Sequence, residues 1–65
     1  MKLNVPIIKK MMANKRMTHE ELGRLAGISR QSISMILTRG TCSLKNAGII
    51  ADALGVDIEE IWKEE

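Results

Sequence analysis

The stretch Thr18–Gly40, THEELGRLAGISRQSISMILTRG, decides the fold that this sequence predicts. It begins with THEE, a capping box in which the Thr18 side chain and the Glu21 side chain each satisfy the other's backbone N–H group. Gly27 lies where this first helix should end, because glycine readily adopts the left-handed conformation that terminates helices. Ser29 follows at the position of an N-cap. The stretch therefore predicts two short helices joined by a tight turn.

Helix signals continue on both sides of this stretch. Asn4 can cap a first helix at about residues 5–14, and Ser43 can cap a fourth helix that Gly55 ends. Asp57 begins a short fifth helix with a second capping box, and the third helix should run to about Thr38. No Asn-Gly or Asp-Gly turn and no sustained alternation favours a β-hairpin. The predicted fold class is all-α, with five short helices in one domain at residues 1–65 and the helix-turn-helix at about 18–38.

Apolar side chains recur at helical spacing in every predicted helix, which predicts one shared core. The third helix has an apolar inner edge and a polar outer edge. Ile28 should act as an apolar plug in the turn before it. The side chains expected to face inward are Ile8, Met11, Met12, Met17, Leu22, Leu25, Ala26, Ile28, Ile33, Ile36, Leu37, Leu44, Ala47, Ile50, Ala51, Leu54, Ile58 and Ile61.

Length and composition exclude several classes of protein. No apolar run in the 65 residues approaches the roughly 18 that span a membrane, and the start of the chain lacks the features of a signal peptide. The single cysteine, Cys42, cannot form an internal disulfide, which fits a cytoplasmic location. One histidine and one cysteine provide no metal-ligand set. Without a nucleophile–base pair or a carboxylate dyad, we expect no enzymatic activity and no cofactor.

The net charge of +2 conceals an asymmetry along the chain. Residues 1–45 carry nine Lys or Arg against two Glu, a net charge of +7, whereas residues 46–65 carry one Lys against six Asp or Glu, a net charge of −5. A basic region beside an acidic end is typical of a surface that faces a polyanion and a surface that faces away. Two ordinary solvated faces would give the same net charges, so charge alone does not decide whether the basic region binds a polyanion.

The polar outer edge of the third helix has the chemistry of a DNA recognition surface. Arg30 can pair with guanine O6 and N7, and Gln31 can pair with adenine N6 and N7. Ser34 is small enough to permit close approach, and Met35 can contact a thymine methyl group. We therefore expect base contacts from these four residues in the major groove of double-stranded DNA. The alternative is that this edge is merely solvated.

Backbone phosphates should be bound at helix N-termini, where unpaired N–H groups and the helix dipole favour anions. The loop after the third helix should add a second group of contacts. The candidate phosphate-binding residues are His19, Ser29, Ser32, Arg39 and Thr41. For His19, an exposed residue without a ligand is an equally acceptable interpretation.

These motifs resemble the XRE/Cro-type helix-turn-helix family of phage and bacterial repressors. The segments LGRLAGIS at 22–29, SRQSIS at 29–34 and ADALGVDIEEI at 51–61 are similar to its conserved stretches, and the likeness covers about residues 5–62. The resemblance implies a lambda repressor-like fold and operator binding as a dimer. It also implies that Arg30, Gln31, Ser34 and Met35 contact bases and that His19, Ser29, Ser32 and Arg39 contact phosphate.

The sequence departs from the family pattern at several positions. Gly23 stands where the family usually has Ala, which permits close packing of helices, and His19 stands where Gln is common. Met12 and Leu37 replace an Arg–Glu pair that often joins the first and third helices; losing both charges together leaves no charge stranded in the core. The loop at residues 39–42 also lacks the usual proline.

The resemblance implies a small cytoplasmic transcriptional regulator, with a repressor as the favoured form, that binds DNA as a homodimer. The last two helices should form the dimer surface around Ile58, Ile61 and Trp62, although Trp62 can instead cap the core. Sixty-five residues leave no effector domain, so a partner protein, proteolysis or concentration would regulate it. Two rivals remain: an antitoxin-like module that also binds a toxin, and a protein-interaction domain that no longer binds DNA.

Overall fold

The computed structural model describes residues 1–63, and in this range it contains five α-helices in the predicted order. They are α1 (Val5–Asn14), α2 (His19–Ala26), α3 (Arg30–Arg39), α4 (Leu44–Leu54) and α5 (Ile58–Ile61). The all-α fold class and the helix positions are therefore confirmed. The third helix extends one residue beyond the predicted Thr38, because Gly40 rather than Arg39 adopts the left-handed conformation that ends it.

The capping signals around the central turn form as the sequence predicts. The Thr18 Oγ1 accepts a hydrogen bond from the Glu21 N–H at 3.1 Å, and Glu21 Oε1 accepts from the Thr18 N–H at 3.2 Å. Gly27 ends α2 with φ of 70°. The Ser29 Oγ then accepts from the Ser32 N–H at 3.1 Å and begins α3. Local chemistry alone therefore fixes both ends of the turn.

The other three helices also begin at their predicted caps. Asn4 Oδ1 accepts from the Ile7 N–H in α1, Ser43 Oγ accepts from the Asn46 N–H in α4, and Glu60 Oε2 accepts from the Asp57 N–H in α5. In α1, Pro6 lies in the first turn, where its missing N–H breaks no helical hydrogen bond.

The five helices enclose one apolar core. Helix α2 packs on α3 and α4, α4 packs on α5, and α5 packs on α1. Met12 and Leu37 are both buried in this core, so the two positions where the family often has an ion pair are apolar and enclosed. The largest fully buried side chains are Ile8, Leu22, Ile33, Ile50, Leu54 and Ile61.

Two leucines predicted to face inward are exposed, so those predictions are wrong. Leu25 is 61% exposed and Leu44 is 66% exposed. In α2 the buried face is centred on Leu22 and Gly23, because Gly23 lies against α3, and this orientation turns Leu25 outward. Leu44 is the first residue of α4, and its side chain points back toward the helix N-terminus, past the edge of the core.

The first four residues form an extended segment that the sequence did not predict. It lies between the α3–α4 loop and the end of α5. The Leu3 N–H donates to Gly40 O at 2.8 Å, and the Asn4 N–H donates to Ile61 O at 2.8 Å. Leu3 is only 3% exposed. Trp62 lies beyond α5 in extended conformation, where it forms a bridge with Leu3, and it is 47% exposed rather than a cap on the core.

Gly23 is buried where α2 approaches the start of α3. A Cβ atom at this position would overlap the carbonyl oxygen of Ile28 and would lie 3.3 Å from the backbone N of Arg30. Both neighbours are backbone atoms, which cannot rotate away as a side chain can. The close helix packing expected from a glycine at this position is therefore present.

We predict that Gly23→Ala destabilises the fold by about 1–3 kcal/mol, because the turn before α3 must shift to admit the methyl group. Gly48→Ala is the matched control. It also adds a methyl group within a helix, but no atom lies within 4 Å of the added Cβ. We expect the control to stabilise the protein by about 0.5–1 kcal/mol. Urea unfolding followed by circular dichroism measures both, and equal stability of the two variants would contradict the prediction.

Candidate nucleic-acid interface

The turn between α2 and α3 holds the two helices in a fixed relation. Gly27 reverses the chain, and the Ile28 N–H donates to Gly23 O at 2.8 Å. Ile28 is partly buried and packs against the core. Because Ile33, Ile36 and Leu37 on the inner edge of α3 are buried as well, α3 is anchored along its length. Its outer edge is consequently presented to solvent in one orientation.

The four candidate base-contacting residues lie in the first six residues of α3. Arg30, Gln31 and Met35 are exposed, and Met35 keeps 45% of its surface accessible despite being apolar. Ser34 is half-buried. The structure therefore brings together the four residues that the sequence assigned to base contacts, with three side chains exposed and the fourth half-buried.

The side chain that covers Ser34 is His19. The His19 Nδ1 atom lies 2.8 Å from the Ser34 Oγ, a hydrogen bond that joins the first residue of α2 to the recognition surface. This contact links a candidate phosphate ligand to a candidate base ligand, and the sequence analysis treated the two separately. Nothing in the spacing of 15 residues indicates it, because it depends on how closely α2 and α3 approach.

The same two helices border an open cleft of about 410 Å³. Its lining consists of Thr18, His19, Glu20, Arg30 and Ser34. One cation, one carboxylate and three polar side chains therefore converge where the N-termini of α2 and α3 meet. The cleft is open to solvent and does not enclose a ligand-sized cavity.

The remaining phosphate candidates lie at the two ends of α3. At its start, the Ser29 hydroxyl donates to the Ser32 Oγ at 2.9 Å, and both side chains are exposed. At its far end, Arg39 and Thr41 are also exposed. The backbone of Thr41 is held by its bridge to Lys2 in the N-terminal segment. The candidates thus flank the base-contacting residues on both sides.

Charged side chains are distributed unevenly over the helices. Arg30 and Arg39 lie on α3, and Lys45 lies at the start of α4, all exposed. The acidic side chains of Asp57, Glu59 and Glu60 are exposed on or beside α5, which packs on α1 and α4. The acidic Glu64 and Glu65 lie outside the described residues. Exposed lysines also lie on α1, which packs on α5, so the charge asymmetry of the sequence corresponds only in part to an asymmetry between the α3 surface and the α5 end.

Cys42 is half-buried in the loop before α4. Burial raises the pKa of its thiol, and the N-terminal ammonium group opposes this rise only in part. That ammonium group donates to the Cys42 carbonyl oxygen at 3.1 Å. A thiol with a raised pKa has little thiolate at neutral pH, which disfavours a redox role.

We predict that iodoacetamide alkylates Cys42 more slowly in the folded protein than in urea at the same pH. The folded thiol has the higher pKa and hence the smaller thiolate fraction. By the same linkage, the free energy of unfolding should decrease as pH rises through the pKa of the unfolded thiol, since the unfolded state then loses its proton first. Cys42→Ser should remove that decrease. Faster alkylation of the folded protein would contradict the prediction.

Residues 1–63 contain neither a cluster of metal ligands nor a membrane-spanning helix. No group of three or more His, Cys, Asp or Glu side chains is arranged to hold a metal ion. No helix in this part of the chain is both long enough and apolar enough to cross a membrane.

Comparison with known proteins agrees with this geometry. A family model described as helix-turn-helix matches residues 8–61, which includes all five helices except the first turn of α1. No match was found among curated proteins or among solved structures.

Proposed function

This chain belongs to the XRE-type, lambda repressor-like helix-turn-helix family and is a DNA-binding regulator, and we propose that it is a repressor that recognises its operator through α3. The observation that carries this proposal is the outer edge of α3. Four side chains with base-contacting chemistry lie together there, while the inner edge of the same helix is locked into the core. A helix held in this way can enter the major groove in one orientation.

Each side chain on this edge has a distinct role in the proposal. Arg30 donates two hydrogen bonds to a guanine, and Gln31 pairs with an adenine. Met35 contacts a thymine methyl group, which accounts for an apolar side chain left 45% exposed. Ser34 approaches a further base beside Arg30, one helical turn later on the same side of α3. Each good bidentate contact contributes about 1–3 kcal/mol of discrimination between bases.

The phosphate contacts would hold α3 in register. Ser29 and Ser32 lie at the N-terminus of α3 and His19 at that of α2, where the helix dipole favours an anion. Arg39 and Thr41 would bind the backbone at the other end of α3. Contacts at both ends fix the position of the helix along the groove without themselves distinguishing sequences.

The dimer surface that we propose differs by one residue, Ile61, from the surface expected from the sequence. Ile61 is fully buried inside its own subunit, so it cannot contact a second copy. Trp62 is 47% exposed beside it, and Ile58 is half-buried. We place Trp62 at the centre of a homodimer contact, because exposed aromatic side chains commonly anchor interfaces. Pairing would supply the affinity that one small module lacks.

We predict that Arg30→Ala and Gln31→Ala each lower affinity for the selected site by roughly 10- to 100-fold while non-specific binding is less affected. The site would be selected from a pool of duplex DNA with a randomised central segment, and affinities would be measured by gel shift at two salt concentrations. Repression would be measured as reduced transcription from a promoter that overlaps the selected site.

Lys10→Ala is the matched control for these variants. It also removes one exposed positive charge, but it lies on α1, which packs against α5. We expect its affinity to change by only a few-fold, through the salt-dependent term. If no sequence is enriched from the pool, or if Arg30→Ala binds the selected site as well as Lys10→Ala does, the protein-interaction rival replaces this proposal.

We predict that Trp62→Ala shifts the protein from dimer to monomer without unfolding it. The side chain is half accessible in one subunit, so its removal leaves the core intact. Ile61→Ala should instead lower stability by about 2–5 kcal/mol, because it opens a cavity. Sedimentation equilibrium measures the first effect and urea unfolding the second. An unchanged dimer in Trp62→Ala would place the interface elsewhere.

A further inference from the structure

The hydrogen bond between His19 and Ser34 has a direction that the positions of the two heavy atoms leave open. In a neutral imidazole one ring nitrogen carries a proton and the other accepts. If Nδ1 accepts, the Ser34 hydroxyl proton is committed to His19, and only oxygen lone pairs remain for a base. If Nδ1 carries the proton, Ser34 accepts from His19, and its own hydroxyl proton is free to be donated to a base. The tautomer of His19 therefore decides what Ser34 offers to DNA.

The surroundings of His19 and Ser34 favour Nδ1 as the hydrogen-bond acceptor when DNA is bound. His19 is the first residue of α2, where a phosphate would be bound at the helix N-terminus. A phosphate oxygen can only accept, so it requires a proton on the second ring nitrogen, Nε2. In a neutral ring this leaves Nδ1 as the acceptor. The imidazole of His19 then donates to the phosphate through Nε2–H and accepts from the Ser34 hydroxyl through Nδ1.

Among the side chains that line the cleft, Ser34 is the one within hydrogen-bonding distance of Nδ1. Arg30 can only donate, and the described residues show no hydrogen bond between it and His19. The Thr18 hydroxyl donates to Glu21 Oε1 at 3.2 Å, so its proton is already used. Glu20 carries a carboxylate, which can only accept. With Nδ1 as the acceptor, the donor is consequently the Ser34 hydroxyl, whose oxygen lies 2.8 Å away.

We propose that His19 is a positioning residue that, with its Nε2–H on a phosphate, makes Ser34 a hydrogen-bond acceptor and so selects a base with an exocyclic amino group. In the major groove these groups are adenine N6 and cytosine N4. Guanine and thymine offer only acceptors at the corresponding position and would be disfavoured. The inference rests on the proposed function, since it assigns a base class to one residue of the same surface.

The first experiment deletes single groups from the base that faces Ser34 in the selected site. An analogue that lacks the exocyclic amino group should weaken wild-type binding by roughly three- to tenfold, the loss of one hydrogen bond. An analogue that lacks a ring acceptor, such as 7-deazaadenine, should have no effect. Ser34→Ala should be indifferent to both changes. Sensitivity of the wild type to the missing acceptor rather than to the missing amino group would overturn the proposal.

The His19→Gln variant separates positioning from simple packing. A Gln amide keeps a donor for the phosphate, but its flexible side chain does not hold an acceptor at the position of Nδ1, so the direction of the Ser34 hydroxyl is no longer fixed. We expect affinity for the selected site to fall by roughly three- to tenfold, the loss of one hydrogen bond, together with loss of the sensitivity to the amino group. If His19 only packs against α3, the variant would bind every sequence more weakly and keep that sensitivity, which would overturn the proposal. Lys10→Ala again serves as the control, and thermal unfolding confirms that each variant is folded.

The second experiment observes the tautomer directly. His19 is the only histidine of the chain, so its ring nitrogens give an unambiguous pair of signals in a long-range ¹H–¹⁵N spectrum. We expect a protonated Nε2 and an unprotonated Nδ1 in the DNA complex. A proton on Nδ1 in that complex would overturn the inference.

The outcomes distinguish this inference from the proposed function. If selection yields no specific site, both fail together. If a specific site is found and depends on Arg30, but deletion of the amino group has no effect or the spectrum shows Nδ1–H, only the assignment of His19 and Ser34 fails.

Discussion

The close approach of α2 and α3 at Gly23 is the constraint on which the rest of this structure depends. It places the Ile28 carbonyl and the start of α3 where any side chain at residue 23 would stand. The same pair of helices holds His19 within hydrogen-bonding distance of Ser34. A wider spacing would still bury the apolar edges of both helices, but it would separate the N-termini whose convergence forms the cleft. The position of the outer edge of α3 therefore depends on this backbone contact as well as on the buried inner edge of the helix.

The N-terminal segment adds a second constraint at the opposite end of α3. Its backbone pairs with Gly40 on one side and with Ile61 on the other, so four residues connect the loop that carries Thr41 to the residue that precedes Trp62. Such pairing is entropically costly in a short segment, and burial of the Leu3 side chain offsets that cost. The loop proposed to contact DNA and the residue proposed to form the dimer contact are thereby joined by backbone hydrogen bonds through one segment.

Features set by local chemistry were predictable from the sequence, and features set by packing partners were not. The five helices and their caps follow from residues within three or four positions of one another, such as Thr18 with Glu21 and Ser29 with Ser32. The buried face of α2 depends on its contact with α3, which the helical spacing does not reveal, so the spacing wrongly predicts an inward-facing Leu25. The N-terminal pairing and the bond between His19 and Ser34 join residues distant in sequence. Neither has a composition or periodicity that could indicate it.

The core of this short chain is apolar and its polar side chains lie at the surface, so stability and binding depend on different residues. Among residues 1–63 the buried side chains are all apolar, and no enclosed side-chain polar atom lacks a partner. Stability thus comes from apolar packing, while the polar side chains remain at the surface and are available to bind a partner. The half-buried pair of His19 and Ser34 lies at the boundary of these two regions. Because that bond spans two helices, the proposed phosphate contact of His19 would set the hydrogen-bonding direction of Ser34 without any movement of the backbone.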